Sequence, residues 1–269
     1  MALRINNNPE AFNAHRQLVQ TSAKMSKSME RLSSGYRINR AADDAAGLAI
    51  SERLRAQVKG LGQAQRNAQD AVSLVQTAEG SLQEVHSMLQ RVRELAVQYK
   101  NGSLSATDKT AIQSEINQLA SEIERIGSAA EFNGINVLNQ QTTVSFQVGA
   151  NDGEIITIAT VSLGTAVPPS AFQLSVSNNA DISEIDAAIA AVSNQRAQFG
   201  AVQNRLEYAL NNLATYQENL MASESRIRDV DMAAEMVEFT KYQILQQAGT
   251  AMLAQANQAP QSVLQLLQG

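Results

Sequence analysis

Residues 61–96 have the sequence LGQAQRNAQDAVSLVQTAEGSLQEVHSMLQRVRELA, and this stretch decides the fold class. Apolar residues recur in it at alternate spacings of three and four, and the residues between them are mostly polar. We call the following positions the heptad seam: Leu61, Ala64, Ala68, Ala71, Val75, Ala78, Leu82, Val85, Leu89, Val92 and Ala96. Such a repeat predicts a coiled-coil helix, about 54 Å long at ~1.5 Å per residue. Because much of the seam is alanine, each contact buries little area, and the helix needs partners along its length.

Two further segments carry the same periodicity and are expected to be those partners. The first contains Ile112, Ile116, Leu119, Ile123 and Ile126, and the second contains Ile185, Val192, Phe199, Leu206, Leu213 and Leu220. Ser105 followed by Asp108 is close to a capping box, and Asn101–Gly102 predicts the preceding turn. Three seams are enough for a helical bundle.

The composition supports long helices and excludes several classes of function. The chain has 41 alanines but only 11 aromatic residues, whereas compact cores usually rely on aromatic side chains. Its formal net charge of −5 offers no basic surface for nucleic acid or anionic lipid, and without cysteine there is no disulfide or thiolate site. No segment reaches the ~18 apolar residues of a membrane helix, and no Sec-type signal is visible in residues 1–30. We therefore expect a protein that is soluble or leaves the cell by another route, with no nucleic-acid or membrane partner.

The pattern changes between the helical halves, over residues 131–179. Val144, Phe146 and Val148 alternate with polar residues, and apolar positions resume at Ile156 and Ile158. The intervening Asn151–Asp152–Gly153 predicts a hairpin turn, and further strand is expected around 172–176. The fold class is therefore mainly α: a long coiled-coil-like helical bundle rod with a small β-hairpin flap between its N- and C-terminal halves.

The two ends of the chain differ from the bundle. The first helix is expected to stop at Gly35 in the left-handed conformation, and Asp43 or Asp44 to cap the long helix. After Lys241 the remaining 28 residues carry no charge. A solvated helix normally carries charges, so this tail predicts burial between copies of the chain. The apolar residues expected to pack there are Leu245, Met252, Val263, Leu264, Leu266 and Leu267.

Several stretches resemble the signatures of bacterial flagellins, in order from end to end. They are Glu30–Asn39 (ERLSSGYRIN), Asp43–Ile50 (DDAAGLAI), Gln90–Gln98 (QRVRELAVQ), Glu131–Gly134 (EFNG), Phe146–Ala150 (FQVGA) and Ser223–Asp231 (SESRIRDVD). The resemblance implies that residues 1–44 and 226–269 form an inner filament-core domain of paired terminal helices. It also implies that residues 45–225 form an outer helical domain that includes the β region. The outermost domains of longer flagellins have no room here.

The function implied by this resemblance is structural: a subunit that self-assembles into the flagellar filament for motility, located outside the cell. The implied partners are further copies of the chain, a secretion chaperone at the C-terminal segment, and the filament cap and hook-associated proteins. The implied export route is the flagellar secretion channel. The alternative is a hook–filament junction protein, which shares the terminal helices, although the intact Gln90–Gln98 motif favours flagellin.

The resemblance also implies recognition by innate immune receptors. Arg91, Leu95 and Glu115 match the surface that Toll-like receptors of hosts bind in flagellins, and we expect them on an exposed helix face. Their other expected role is contact between subunits.

No pattern in the chain indicates catalysis. Each of the two histidines, His15 and His86, stands alone on a helix, and no zinc-protease or dinucleotide motif is present. The adjacent Asp43 and Asp44 are better explained by helix capping than by a metal. We therefore expect no catalytic residues, no cofactor and no metal. An enzyme or binding module on a coiled-coil scaffold would need a pocket with convergent polar groups.

Overall fold

Long helices make up most of the molecule in the computed structural model, which describes residues 8–167, 172 and 181–268, with side chains except at 165, 166 and 259–268. The elements are α1 (Pro9–Ser34), α2 (Ala45–Tyr99), α3 (Ala106–Ala129), β1 (Glu131–Phe132), β2 (Ile135–Asn136), β3 (Thr143–Gln147), β4 (Ile155–Ala159), α4 (Leu163–Ala166), α5 (Asp181–Arg228) and α6 (Met232–Gln268). The predicted fold class, mainly helical with small β-hairpins between the helical halves, is confirmed. Within the described ranges, no helix combines the length and apolar character needed to cross a membrane.

Helix α1 begins and ends as its flanking residues predict. Pro9 occupies the first position, where its missing N–H costs nothing, and the Asn8 side chain accepts a hydrogen bond from the Ala11 N–H at 3.1 Å. At the other end Gly35 has φ of 74° and donates its N–H to the Arg31 carbonyl at 2.9 Å. The predicted left-handed cap is thus confirmed.

Side-chain caps also start the next two helices. Asp44, directly before α2, accepts a hydrogen bond from the Gly47 N–H at 2.9 Å. Ser105 and Asp108 form the reciprocal capping box of α3, with Asp108 accepting from the Ser105 N–H at 3.0 Å. Both expected caps are confirmed, and each supplies an acceptor for N–H groups that have no partner inside the helix.

The chain divides into two compact units. The terminal unit comprises residues 1–56 and 220–269, and the central unit comprises residues 57–219. Helices α2 and α5 contribute residues to both.

The heptad seam lies in the core of the central unit. All eleven seam positions are buried, and Ala68, Ala71, Val75, Ala78, Leu82, Val85, Leu89, Val92 and Ala96 have no exposed surface. The side chains packed with them come from α3 and α5, and include Ile116, Val192 and Phe199. Five of the eleven seam positions are alanine, which allows these helices to approach closely, and the larger side chains of the partner helices supply the apolar area.

The β region forms two separate antiparallel hairpins. Strands β3 and β4 pair Val144 with Ile158 and Phe146 with Ile156, which confirms the predicted hairpin around residues 151–153. Ile156 and Ile158 face the core, whereas Ile155 is half exposed, as period-two alternation requires. The second hairpin, β1 with β2, has a two-residue turn and was not predicted.

Hydrogen bonds attach the larger hairpin to α2 and close its loop. The Asn67 side-chain amide donates to the Gln147 carbonyl at 3.0 Å. In the loop, the Asn151 backbone and side-chain N–H groups both donate to Glu154, which lowers the pKa of that carboxyl. Phe172 is the one residue of the predicted strand at 172–176 that the structure describes, and its backbone is helical, so the prediction is not supported there. Residues 173–176 lie outside the described part of the chain.

Candidate assembly surface

Helices α1 and α6 pair in antiparallel fashion in the terminal unit. Near the start of α1, the Asn8 side-chain amide donates to the carbonyl of Ala256 at 2.7 Å. Near its end, the Arg31 guanidinium lies 3.4 Å from the Glu235 carboxylate. Between these contacts Gly249 faces Leu18 so closely that a Cβ there would lie 3.2 Å from the leucine Cδ1. The absence of a side chain at Gly249 therefore lets the two helices approach.

This helix pair lacks a hydrophobic core of its own. Ser28, 4% exposed, is the single buried side chain of α1. No residue of α6 between 232 and 258 is fully buried. Most stability of a helix in a protein comes from burial of its apolar face, and two helices alone leave that face partly in water. The pair is thus incompletely covered in the single chain.

Large apolar side chains are correspondingly exposed on both helices. Phe12 is 73% exposed, Val237 67% and Met252 65%. The others are Val19, Met29, Met232, Met236, Ile244 and Leu245. Monomeric soluble proteins seldom expose so many large apolar side chains on one pair of helices, and apolar surfaces of this kind mark sites of protein association.

The structure describes the backbone of the uncharged tail to residue 268 and its side chains to residue 258. Its backbone is helical to Gln268 as the C-terminal portion of α6. Leu245 and Met252 line a shallow groove between α6 and α1, together with Leu18 and Ala14. The side chains of Val263, Leu264, Leu266 and Leu267 lie outside the described ones.

The two connectors of the terminal unit are joined by backbone pairing. Tyr36 and Asp229 form an isolated antiparallel bridge, in which the Arg37 N–H donates to the Arg228 carbonyl at 2.7 Å. The Val230 N–H donates to the Gly35 carbonyl at 3.0 Å. These residues belong to two of the six stretches that resemble flagellin signatures, Glu30–Asn39 and Ser223–Asp231, so part of each stretch encodes this junction.

The Arg228 side chain contacts two residues of the terminal unit at this junction. Its guanidinium lies over the Tyr36 ring, 4.8 Å from the ring centroid, and donates to Glu52 at 2.6 Å. Among the basic residues, only arginine has a planar guanidinium group that can stack on an aromatic ring and donate hydrogen bonds to a carboxylate at the same time. Periodicity alone did not single out this residue, because its partners are far away in sequence.

Arg91 and Glu115 lie together on the surface of the central unit. Nε and Nη2 of Arg91 donate to the same Glu115 oxygen at 3.1 and 3.0 Å, and Nη1 donates to Glu94. The hydrogen bonds to Glu115 and then to Glu94 raise the pKa of the Arg91 guanidinium. About half of each side chain is exposed.

Leu95 does not share this surface. It is only 2% exposed and belongs to the buried core, so the expectation of an exposed face that contains Arg91 and Leu95 is wrong for the leucine. The physical reason is helical spacing: Leu95 lies next to the seam residue Ala96, and α3 and α5 together cover a stripe wider than the seam alone.

Across residues 8–167, 172 and 181–268, no group of three or more His, Cys, Asp or Glu side chains is placed to hold a metal ion. The central unit has an extended helical core, and the helix pair of the terminal unit leaves its apolar face uncovered. These features are typical of a structural protein that associates with other polypeptides.

Comparison with known proteins gives the particular family. Residues 5–143 match the model of the bacterial flagellin N-terminal helical region, and residues 182–267 match that of the C-terminal helical region. The chain belongs to the bacterial flagellin family and is a subunit of the flagellar filament, a structural protein and not an enzyme.

The sequence similarity to two flagellins extends over almost the whole chain. A flagellin of Halalkalibacterium halodurans is 53% identical, with 98% of this chain and 99% of the relative covered. A flagellin of Bacillus subtilis is 48% identical over 98% of this chain and 100% of the relative. The crystal structure of Bacillus cereus flagellin matches with a TM-score of 0.50 and 31% identity, and covers 55% of this chain and 88% of that one.

Proposed function

We propose that residues 1–44 and 226–269 form the inner core of the filament, and that residues 45–225 form the layer outside it. The observation that carries this proposal is the α1–α6 pair, which has almost no buried side chain and exposes large apolar residues on both helices. A surface of this kind is stable only when other polypeptides cover it. In a homopolymer, further copies of the same chain are available to do so.

Burial of this surface would favour assembly. Burying one large aliphatic side chain contributes roughly 1.5–3 kcal/mol before ordering costs are subtracted. Val237, Ile244 and Met252 are each more than half exposed in the single chain. Every subunit in a filament repeats the same contacts, so a small loss per copy prevents polymerisation. Leu245 and the tail residues Val263, Leu264, Leu266 and Leu267 belong to the same proposed surface.

The experiment compares lysine substitutions at neighbouring positions of α6. Ile244→Lys and Val237→Lys place a charge on the proposed interface, whereas Gln243→Lys places the same charge on an already polar, exposed position. We expect the first two variants to remain in the supernatant after high-speed centrifugation, and the control to form filaments visible by electron microscopy. Circular dichroism of the monomers should be unchanged in all three. Normal filaments from Ile244→Lys and Val237→Lys would refute the proposed inner core.

The flagellin family suggests an export route and further partners for this chain. We propose passage through the flagellar secretion channel, a chaperone that holds the C-terminal segment, and contacts with the filament cap and hook-associated proteins. The absence of cysteine supports export in an unfolded state, since no disulfide can form on the way. The exposed apolar residues of α6 support the chaperone, because a free subunit would otherwise aggregate through them. Co-purification of a small chaperone with the full chain, lost on deletion of residues 232–269, tests this point.

The innate immune role rests on the exposed pair in the central unit. Arg91 and Glu115 are joined by two hydrogen bonds and present a fixed polar surface suited to a Toll-like receptor. Leu95, which the resemblance groups with them, is buried and can contribute only by holding α2 in place.

A further inference from the structure

We propose that Asn101, in the turn between α2 and α3, is a site of spontaneous covalent modification that converts its side-chain amide to aspartate or isoaspartate through a cyclic imide. The chain contains two Asn–Gly pairs, at 101–102 and 133–134, and the structure places them in very different turns. The reacting dipeptide is the same at both sites, so we attribute any difference in their rates of conversion to the fold. This property is independent of filament assembly.

The reaction needs only solvent water and is balanced as follows. The backbone nitrogen of Gly102 attacks Cγ of Asn101, the Cγ–Nδ2 bond breaks, and ammonia leaves with the proton that the glycine nitrogen loses. The product is a five-membered succinimide. Water then adds to either of its two carbonyl groups and opens the ring, which leaves a carboxyl group at position 101 with a normal or a β-linked backbone. Because nucleophile and electrophile belong to adjacent residues, the first step is intramolecular and is accelerated by proximity.

The turn at residues 101–102 leaves the reacting groups accessible. Asn101, Gly102 and Ser103 are all exposed, and nothing lies within 4 Å of the position that a Cβ on Gly102 would occupy. The Ser103 N–H donates to Oδ1 of Asn101 at 3.2 Å, which polarises the side-chain carbonyl and holds it across the Gly102 peptide. Among the described residues, the Gly102 N–H has no hydrogen-bond acceptor, so its nitrogen is free to approach Cγ.

Ring closure requires the asparagine backbone to rotate until Cβ and the following nitrogen are nearly eclipsed. Little opposes this rotation at Asn101, because the one backbone hydrogen bond that its carbonyl accepts, from the Leu104 N–H, is long at 3.4 Å. Helix α3 keeps its own cap, because its capping box starts at Ser105. On the α2 side, the Asn101 N–H donates to the Gln98 carbonyl at 3.0 Å, and rotation about the Cα–C bond of Asn101 leaves this bond in place. The turn can therefore reach the reactive conformation without unfolding either helix.

The second pair is held in a conformation that prevents this rotation. Asn133 and Gly134 have φ of 49° and 76°, the two positive values of a two-residue hairpin turn. The flanking residues Phe132 and Ile135 are paired, and beyond the hairpin the Val137 N–H donates to the Ala130 carbonyl at 3.0 Å. Rotating Asn133 would break this pairing. The hairpin thus serves as an internal control with the same dipeptide.

The experiment follows both sites in the full-length protein during incubation at mildly alkaline pH. Peptide mass spectrometry detects the replacement of amide by acid, and labelling by a protein isoaspartate methyltransferase reports the β-linked product. We expect conversion at position 101 to be about tenfold faster than at position 133, a difference of about 1.4 kcal/mol in activation free energy. In denaturant, both sites should convert at similar rates.

Two variants distinguish this chemistry from simple hydrolysis. Gly102→Ala fits the open space at that position but hinders attack by the backbone nitrogen, so it should slow conversion at 101 and leave 133 unchanged. Asn101→Gln enlarges the ring that must close and should abolish the product at this position. Equal rates at both sites in the folded protein would overturn the proposal, as would a Gly102→Ala variant that reacts as fast as the parent chain.

Discussion

The carboxylate of Asp43 lies 2.6 Å from the ammonium group of Lys27. This ion pair joins the connector before α2, residues 35–44, to helix α1. The same carboxylate accepts hydrogen bonds from the N–H groups of Asn39 and Arg40 at 3.2 and 3.1 Å. Its side chain is only 12% exposed. The hydrogen bond from Lys27, followed by that from the Arg40 backbone, lowers the pKa of Asp43 from 3.8 to about 2.

This lowered pKa predicts an acid-sensitive contribution to stability. The unfolded chain takes up the proton at a higher pH than the folded chain, so the contribution is complete above pH 3.8 and is lost as the pH falls towards 2. Denaturant unfolding at several pH values should show that wild type exceeds Asp43→Asn in stability near neutral pH, and that the difference shrinks through this window. Lys27→Met should bring the pKa of Asp43 closer to its ordinary value. A difference that does not change with pH would show that the carboxylate is not a linked titrating group.

Val75 provides a test of the heptad seam. Its side chain has no exposed surface, so Val75→Asp would bury a carboxylate without a partner, at a cost of several kcal/mol, roughly 3 or more. We expect a large loss of helicity, or a steep fall in the denaturant midpoint. Gln76→Asp puts the same group at an exposed position one residue away and should change stability by less than about 0.5 kcal/mol. Equal stabilities of the two variants would place Val75 outside the core.

Two glycines are expected to respond in opposite directions to replacement by alanine. Gly80 lies in the middle of α2 with nothing within 4 Å of a Cβ, so Gly80→Ala should stabilise the chain by roughly 0.5–1 kcal/mol. At Gly149 a Cβ would collide with the Glu154 side chain that closes the hairpin loop. Gly149→Ala should therefore lower the melting temperature, and Gly80→Ala should raise it. Stabilisation by both would show that the Glu154 contacts contribute little.

The sequence was sufficient to predict the long helices and the larger hairpin, because these elements depend on regular spacing and on local turn and cap sequences. Seam positions such as Val75 recur at helical periods, and the caps at Asp44 and Ser105 are short-range patterns that act within one turn. The larger hairpin was predictable for the same reason, since Phe146 and Ile156 follow strict alternation on either side of a turn sequence.

Other features depend on contacts that spacing does not encode. The bridge between Tyr36 and Asp229, and the position of Arg228 over the Tyr36 ring, join residues about 190 positions apart. The short β1–β2 hairpin has too few residues to show alternation, although its Asn133–Gly134 turn was a usable signal. The burial of Leu95 was missed because a motif identifies a residue type without stating how many helices cover its face.

The contrast between Leu95 and Arg91 gives the final prediction. Leu95 is buried in the core, so Leu95→Ala should lower the free energy of unfolding by roughly 2–5 kcal/mol. Arg91 is half exposed and its ion pair with Glu115 is in contact with water, so Arg91→Ala and Glu115→Gln should leave the denaturant midpoint close to that of wild type. If the exposed pair binds a Toll-like receptor directly, Arg91→Ala should raise the half-maximal dose in a receptor reporter assay while the melting curve stays close to wild type. Leu95→Ala should affect signalling only to the extent that it unfolds the central unit, so its dose response should recover at lower temperature, where the variant is folded. An unchanged dose response for Arg91→Ala would remove this pair from the receptor surface and leave it a role in contacts between subunits.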